Sequence, residues 1–314
     1  MNGIKTVLQN IGFSSLQLGY FQLVFSIFIL CSKNGEGGAI YFNNYLSNIS
    51  LLFCSFDRCS ITGTYHGGAV CIVEAYDVRI LSNCFFKCQA YRCPSILIWG
   101  NYARRVRTLN FNETSDSDNL LSGAGSAFYA NLSTLLSFNN FSNLQSNEIA
   151  AGFFVGSGEP DLVSQFITVS NVQGTGITTF WPCGTPQYNE IRNINYISCK
   201  TQSTGFISSY MQNNCLLTTI VFINSSFNKL YTRYSTGLLE IYKSLFEDSH
   251  SSSNFLDCIL TDCYYQSKNI PIIHKVFNTN ICWESTIMVK NTFYDIKPFI
   301  HVSHLLFNMF MNVK

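Results

Sequence analysis

Gly37-Gly38-Ala39-Ile40-Tyr41-Phe42 and Gly67-Gly68-Ala69-Val70-Cys71-Ile72 are two copies of one motif, 30 residues apart. In each copy two glycines and an alanine precede a run of mostly apolar residues. Weaker copies follow at an average spacing of about 29 residues, a period typical of stacked repeats. A small residue or a proline anchors each of these copies: Ser95, Ala127, Gly152, Gly176, Gly205, Gly237, Pro271 and Pro298.

Between the anchors lie runs in which apolar and β-branched residues alternate, for example Ile49–Phe56, Val78–Phe85 and Leu162–Val169. Runs of this kind are too short for helices and are typical of strands. A unit of two or three short strands cannot close a core alone, so it must stack on its neighbours. The sequence therefore predicts an all-β fold, a right-handed parallel β-helix of about ten rungs of about 29 residues each. We expect residues 1–314 to form a single domain, incomplete at both ends because neither end has a polar cap.

In such a rod, equivalent residues of adjacent rungs lie about 4.8 Å apart. The pairs that we expect to stack are Ile40 with Val70, Phe56 with Phe85, Cys54 with Cys84, and Cys59 with Cys88.

Composition excludes two broad classes of protein. Hydrophobic residues make up 47% of the chain and charged residues 12%, so it can bury enough apolar surface to fold. With 19 basic and 18 acidic residues the net charge is +1, and no overall field attracts nucleic acid or an anionic membrane.

The thirteen cysteines show no zinc-binding spacing. Buried apolar thiols, disulfides between rungs, or a catalytic cysteine are the possible interpretations. Stacked strands hold their Cβ vectors parallel, which does not suit a disulfide, whereas a turn can rotate. We therefore predict a Cys59–Cys88 bond in a secreted protein, with Cys54 and Cys84 reduced.

A search for chemistry finds no constellation, and we assign no catalytic, cofactor-binding or metal-binding residue. Polysaccharide hydrolysis needs two clustered carboxylates. The closest acidic pairs, Asp116 with Asp118 and Glu247 with Asp248, lie in serine-rich stretches and are interpreted as solvated loop charges. The histidines are interpreted as ordinary turn or surface residues without a ligand set: His66, His274, His301 and His304. The basic cluster Arg104, Arg105 and Arg107 indicates a protruding loop that could contact a glycan or a protein.

Residues 11–31 admit three interpretations: a rung, a signal peptide or a membrane segment. The rung is favoured, because the run before Cys31 stands at the same phase to Ala39 as later runs do to their anchors. Five sequons give weak support to secretion: Asn48, Asn112, Asn131, Asn140 and Asn224.

The repeated Gly-Gly-Ala motif at Gly37, Gly38, Ala39 and at Gly67, Gly68, Ala69 resembles the polymorphic membrane proteins of chlamydiae. It resembles equally the right-handed β-helix surface proteins of trichomonads. Those families place Phe-x-x-Asn before the motif. Here Phe56 and Phe85 are each followed three residues later by a cysteine, which favours the protozoan group.

The resemblance implies a non-enzymatic, adhesin-like or antigen-like module at the cell surface or outside the cell. Its partner would be a protein or glycan on a host or neighbouring cell, with no nucleic acid and no cofactor. Membrane contact would come only through an anchor outside this chain. The alternative is a carbohydrate-active enzyme with a pectin-lyase-like β-helix.

Overall fold

The structure is a computed structural model of the 314-residue chain. The residues it describes are 5–7, 11–13, 19–43, 47–99, 108–112, 114–121, 128–131, 134–145, 153–157, 161–182, 188–201, 205–209, 215–234, 236–251 and 258–264.

The largest sheet, called sheet 1, runs along the full described length and joins its strands in parallel. Its strands are Lys5–Val7, Tyr20–Val24, Ser26–Ile29, Asn48–Leu52, Ser55–Asp57, Asp77–Leu81, Cys84–Phe86, Thr108–Asn112, Ser115–Ser117, Thr134–Ser137, Asn140–Ser142, Asp161–Ser170, Tyr188–Ile197, Cys215–Ile223, Leu239–Tyr242, Leu245–Glu247 and Cys258–Thr261.

Sheet 2 forms a second wall and is also parallel. Its strands are Ile11–Phe13, Ile40–Asn43, Val70–Val73, Ile96–Trp99, Phe128–Asn131, Phe153–Ser157, Thr178–Pro182, Gly205–Ser209 and Lys229–Arg233. Two short sheets lie between these walls. Their strands are Ser32–Asn34, Ser60–Thr62, Gln89–Ala90 and Leu120–Leu121 in one, and Gln173–Gly174, Lys200–Thr201, Ser226–Phe227 and His250–Ser251 in the other.

Equivalent residues of sheet 2 recur once per turn of the chain, so the protein is a parallel β-solenoid. From Ile40 onward the paired positions are 30, 26, 32, 25, 25, 29 and 24 residues apart. Ile40 pairs with Val70 and Phe56 with Phe85, as the sequence predicts. The all-β parallel fold is thus confirmed, whereas the hand of the solenoid and the number of rungs stay predictions. Each turn is called a coil below.

The Gly-Gly-Ala motif meets three separate requirements at one tight turn. Gly37 has a φ of 68° and Gly67 a φ of 72°, a left-handed backbone that glycine adopts without strain. A Cβ on Gly38 would overlap the carbonyl oxygen of Gly68 in the next coil, so the second glycine permits close approach of two backbones. Ala39 is fully buried behind them.

The predicted anchors fail in the second half of the chain. Phe153 pairs with Thr178, which places Ile177 rather than Gly176 opposite Gly152. Gly205 pairs with Lys229, and Gly237 lies instead just before the sheet 1 strand Leu239–Tyr242. The turn at Asn228 shortens this coil to 24 residues, and an averaged period cannot detect such a deletion.

Stacked side chains fill the interior. One interior column consists of equivalent residues of successive coils: Phe28, Phe56, Phe85, Asp116, Phe141, Val169, Tyr196, Phe222 and Phe246. The rings of Phe28, Phe56 and Phe85 are nearly parallel, with centroids 4.8 Å apart. The exception in the column is Asp116.

The segment up to Cys31 joins the solenoid as the favoured interpretation requires. Tyr20–Val24 pairs with Asn48–Leu52, and Ser26–Ile29 pairs with Ser55–Asp57. Among the residues that the structure describes, no helix has the length and hydrophobicity needed to cross a membrane.

Candidate functional site

Each coil turns two corners, one before and one after the second half of sheet 1. The residue at each corner has a left-handed backbone with φ between 46° and 57°, which is uncommon for residues other than glycine. The first corner column is Phe25, Phe53, Ser82, Phe138, Phe166, Asn193, Thr219, Lys243 and Asp262, and the second is Leu30, Arg58, Lys87, Asp118, Asn143, Asn171, Ser198, Asn224 and Asp248. Their amides continue the backbone ladder between coils; Phe25, for example, donates to the Leu52 carbonyl at 3.0 Å.

The residue that follows each corner points into the rod and binds backbone there. Asn83 follows the first corner, accepts from the Cys54 amide at 2.7 Å, and donates to the Leu51 carbonyl at 2.8 Å. Asn119 follows the second corner and accepts from the Cys88 amide at 2.6 Å. The corner residue itself is left on the outside, so the corners are the positions at which this fold presents side chains.

In the first described coils the corners carry large apolar side chains. Phe25 is 44% exposed and Phe53 is 45% exposed, and their rings stack with centroids 5.0 Å apart. Leu30, at the second corner, is still more exposed. Lone exposed apolar residues are ordinary, but several together on one face mark an interaction surface.

Cationic side chains continue the second corner column beside this apolar group. Arg58 holds Asp57 with an Nη2–Oδ2 distance of 2.8 Å, and this hydrogen-bonded carboxylate raises the pKa of Arg58. The Lys87 ammonium lies 4.9 Å from the centroid of the Phe86 ring. We call Phe25, Leu30, Phe53, Arg58 and Lys87 the corner face. It combines an aromatic platform with positioned hydrogen-bond donors.

A second aromatic pair lies farther along the first corner column. Phe138 and Phe166 stack with centroids 4.7 Å apart, and Phe138 is 43% exposed. The polar corner residue Ser82 separates the two aromatic pairs. The corner residues equivalent to Arg58 and Lys87 in this region are Asn143 and Asn171, so the second pair lacks the cations.

Asp116 is buried, which corrects its interpretation as a solvated loop charge. Its side chain is 1% exposed and lies between Phe85 and Phe141 in the interior column. Ser95 donates to its Oδ2 at 2.5 Å, and Asn119 donates to its Oδ1. Burial raises the pKa of Asp116 to about 7, against the opposing effect of these two donors. Its alternation with Ser115 and Ser117 hid this inward position.

The group around His66 does not form a metal site. Burial, together with Arg92, lowers the pKa of His66, while Glu36 opposes that change. Cys71 donates to Glu36 at 3.8 Å, and burial raises the pKa of that thiol. Within the described ranges no three His, Cys, Asp or Glu side chains are placed to hold a metal ion.

The cysteine predictions are partly wrong. Cys59 and Cys88 stack as predicted, since Ser60 pairs with Gln89, but both thiols are reduced. They point inward, and each donates to a carbonyl of the preceding coil at 3.6 Å, Phe28 and Phe56 respectively. Parallel Cβ vectors therefore leave the two sulfurs bound to backbone rather than to each other.

Cys84 is disulfide-bonded, where a reduced thiol was expected. It pairs with Ser55 rather than with Cys54, and this offset of one residue moves its side chain to the outer face of the sheet. Asn83 takes the inward place above Cys54. Cys54 itself is reduced, as predicted, and burial raises its pKa to about 11.

The sequons differ in accessibility. Asn224 is an exposed corner residue, whereas Asn140 is 1% exposed and so poorly placed to accept a glycan in the folded chain. Asn48 is half-buried, and nothing is described of the side chains of Asn112 and Asn131.

Other candidates of the sequence analysis lie outside the described residues: Arg104, Arg105, Arg107, His274, His301 and His304. Of the second acidic pair, Glu247 is half-buried and Asp248 is an exposed corner residue.

Comparisons with protein-family models, with curated proteins and with solved structures find no match.

The corner face escaped the sequence analysis. Phe25 and Phe53 stand in apolar runs whose alternation assigns them to the core, and the left-handed backbone is what turns them outward. One signal was present: each is followed by two residues that break the alternation, Ser26-Ile27 and Cys54-Ser55.

Proposed function

We propose that this chain is a non-enzymatic interaction module, an adhesin-like or antigen-like β-solenoid exposed at a cell surface. Its partner is a protein or glycan on a host or neighbouring cell. The observation that carries the proposal is the corner face, with its exposed Phe25–Phe53 stack beside Arg58 and Lys87.

The chemistry of the corner face suits recognition rather than catalysis. Aromatic faces pack against the apolar side of sugar rings or against apolar side chains, and aromatic and arginine residues are enriched at binding hot spots. Backbone pairing with neighbouring coils holds the platform rigid, so little entropy is lost on binding. Asp57 keeps the Arg58 guanidinium in one position.

Two further observations support a place outside the cytosol. The Cys84 disulfide is of the kind that persists in oxidising compartments. The Gly-Gly-Ala repeat resembles surface proteins of chlamydiae and trichomonads, for which an adhesive role is implied.

A pectin-lyase-like activity has less support. Hydrolysis needs an acid and a base within reach of one glycosidic bond. Asp116 has the raised pKa of a proton donor, but it lies inside the rod, and Asp57 is engaged by Arg58.

The test is binding of the labelled full chain to cultured epithelial cells and to an array of immobilised glycans. Phe53→Ser removes the platform, and Phe138→Ser is the matched control, since both residues are corner phenylalanines of similar exposure in a stacked pair. We expect Phe53→Ser to weaken binding by about tenfold or more, with Phe138→Ser unchanged. Equal effects of both substitutions, or no binding by the unmodified chain, would contradict the proposal.

Treating the cells with glycosidase or with protease then separates a glycan partner from a protein partner. Incubation with polygalacturonate tests the enzyme alternative, and release of new reducing ends would favour it over the binding module.

A further inference from the structure

The partner of Cys84 can be identified by elimination. The sequence contains 13 cysteines, and ten of those in the described part of the chain are reduced. Because Cys84 is disulfide-bonded, its partner within the chain must be one of the two that remain, Cys183 and Cys282.

Cys183 is too far away. It follows Trp181 by two residues, and Trp181 lies four rungs from Val73, which shares a coil with Cys84. The stack between them runs Trp181, Gly156, Asn131, Trp99 and Val73. Four rungs measure about 19 Å along the rod. After allowance for two extended residues and for the rise within a coil, roughly 10 Å remains, beyond the roughly 6.8 Å that a disulfide tolerates.

The outer surface around Cys84 has an unusual burial pattern. Cys84 belongs to a column of outward residues in the second half of sheet 1, which we call the outer column: Ile27, Ser55, Cys84, Ser115, Asn140, Thr168, Asn195, Val221, Leu245 and Tyr264. Their neighbours in the chain, such as Phe141 and Tyr196, point inward. Yet Asn140 and Asn195 are each only 1% exposed. Stacking in a column covers two sides of a side chain and leaves its outer end open, so this burial requires something on top.

The chain leaves the described coils on this same column. Tyr264 bridges to Leu245, and from there the outer column leads back to Cys84 in seven rungs, about 34 Å. Eighteen residues separate Tyr264 from Cys282, and an extended chain of that length reaches roughly 59 Å. The span is therefore sufficient without moving any coil.

We propose that the segment 265–314 lies over the outer column and that a Cys84–Cys282 disulfide fixes it there. The site is a covalent cross-link between the third paired coil and the C-terminal segment. It covers the polar residues Asn140, Thr168 and Asn195 and leaves the corner face, on the other side of Cys84, open. The inference stands apart from the proposed function, because neither Phe53 nor Arg58 takes part in it.

Closing the bond removes one hydrogen from each thiol, two protons and two electrons in all. The oxidant is a small-molecule disulfide such as oxidised glutathione, which is reduced to two thiols by exchange through a mixed disulfide.

Tryptic mapping tests the cross-link directly, because each candidate cysteine stands alone in its peptide: Cys84 in residues 80–87, Cys183 in residues 108–192 and Cys282 in residues 276–290. The full chain is purified without reductant, alkylated and digested. We expect residues 80–87 joined to residues 276–290, with Cys183 alkylated. A bond to residues 108–192, or alkylation of both Cys84 and Cys282, would overturn the proposal.

Thiol labelling tests the cover independently. Thr168→Cys places a thiol in the outer column, and Thr218→Cys is the matched control, a half-buried outward threonine in the first half of sheet 1. We expect maleimide to label Thr168→Cys more than about tenfold more slowly. Adding Cys282→Ser should remove that difference. Equal rates in the oxidised chain, or slow labelling that Cys282→Ser leaves unchanged, would count against a cover held by Cys282.

Discussion

Asp116 shows what one polar residue does inside a stack of phenylalanines. An isolated carboxylate would be costly there, so the structure supplies Ser95 and Asn119 as donors, and burial still raises the pKa to about 7. The carboxyl group is therefore mostly protonated in the folded protein at pH values where an unfolded chain would ionise it.

This shift predicts a pH-dependent stability. The folded pKa lies above the ordinary value of about 4, so the stabilisation is fully present below about pH 4 and is lost as the pH rises through 7. The loss is about 1.4 kcal/mol per pH unit within that window. Asp116→Asn should abolish the dependence and raise the free energy of unfolding at pH 8 by a few kcal/mol. Denaturant unfolding at pH 5 and pH 8 measures both effects, and an unchanged pH slope in the variant would refute the assignment.

A second prediction at the residue scale concerns the corners. Thr219 is β-branched and has a φ of 57°, whereas its neighbour in the column is Asn193, which tolerates this backbone better. Thr219→Asn should raise the free energy of unfolding by about 1 kcal/mol. The control, Thr218→Asn, changes an extended strand residue and should not stabilise. A loss of stability in Thr219→Asn, measured by denaturant unfolding, would show that the corner is not strained.

At the scale of the element, the Gly-Gly-Ala turn is limited by contact between backbones. A Cβ on Gly68 would overlap the carbonyl oxygen of Pro94, and backbone cannot move aside as a flexible side chain can. Gly68→Ala should therefore lower the free energy of unfolding by about 3 kcal/mol or more.

The control for this substitution is Gly35→Ala. Its Cβ would meet only the Lys33 side chain at 3.5 Å, so the cost there is backbone strain alone, about 1–2 kcal/mol. Comparable losses in the two variants, measured by thermal unfolding, would show that close approach is not what the second glycine provides.

The inward residues after the corners form a second structural element. Asn83 satisfies a buried amide and a buried carbonyl in one coil, and Ser244 accepts from the Ile220 amide at 2.9 Å in a distant one. Removing either side chain leaves buried backbone without its partner, at a cost of about 1–3 kcal/mol each.

For the whole molecule, contacts between neighbouring coils mean that distant coils act independently. Asn83 and Ser244 share one inward column but are six rungs apart, about 29 Å. The losses of stability in Asn83→Ala and Ser244→Ala should therefore add in the double variant to within about 0.5 kcal/mol. Denaturant unfolding of the single and double variants measures this sum, and a coupling above about 1 kcal/mol would indicate that the solenoid responds as one rigid body.

The whole molecule also relates the two proposals. The corner face occupies the first paired coils, while the outer column extends from there toward Tyr264. A covered polar column beside an open apolar face restricts binding to one side of the rod.

The sequence by itself determined the repeat, the parallel solenoid and the stacking of Ile40 on Val70 and of Phe56 on Phe85. These follow from alternation and spacing, which survive any choice of turn. It could not locate the shortened coil at Asn228, because one deletion disappears in an average period.

Only the tertiary structure decided which apolar residues face outward. A left-handed backbone at Phe53 reverses the side of every following residue until the next corner, so alternation assigns that phenylalanine to the wrong face. The same offset moves Cys84 outward to a disulfide and puts Asn83 inside. Asp116 was misplaced for a related reason: its serine neighbours suggest a loop, but a strand between Phe85 and Phe141 buries whatever residue stands there.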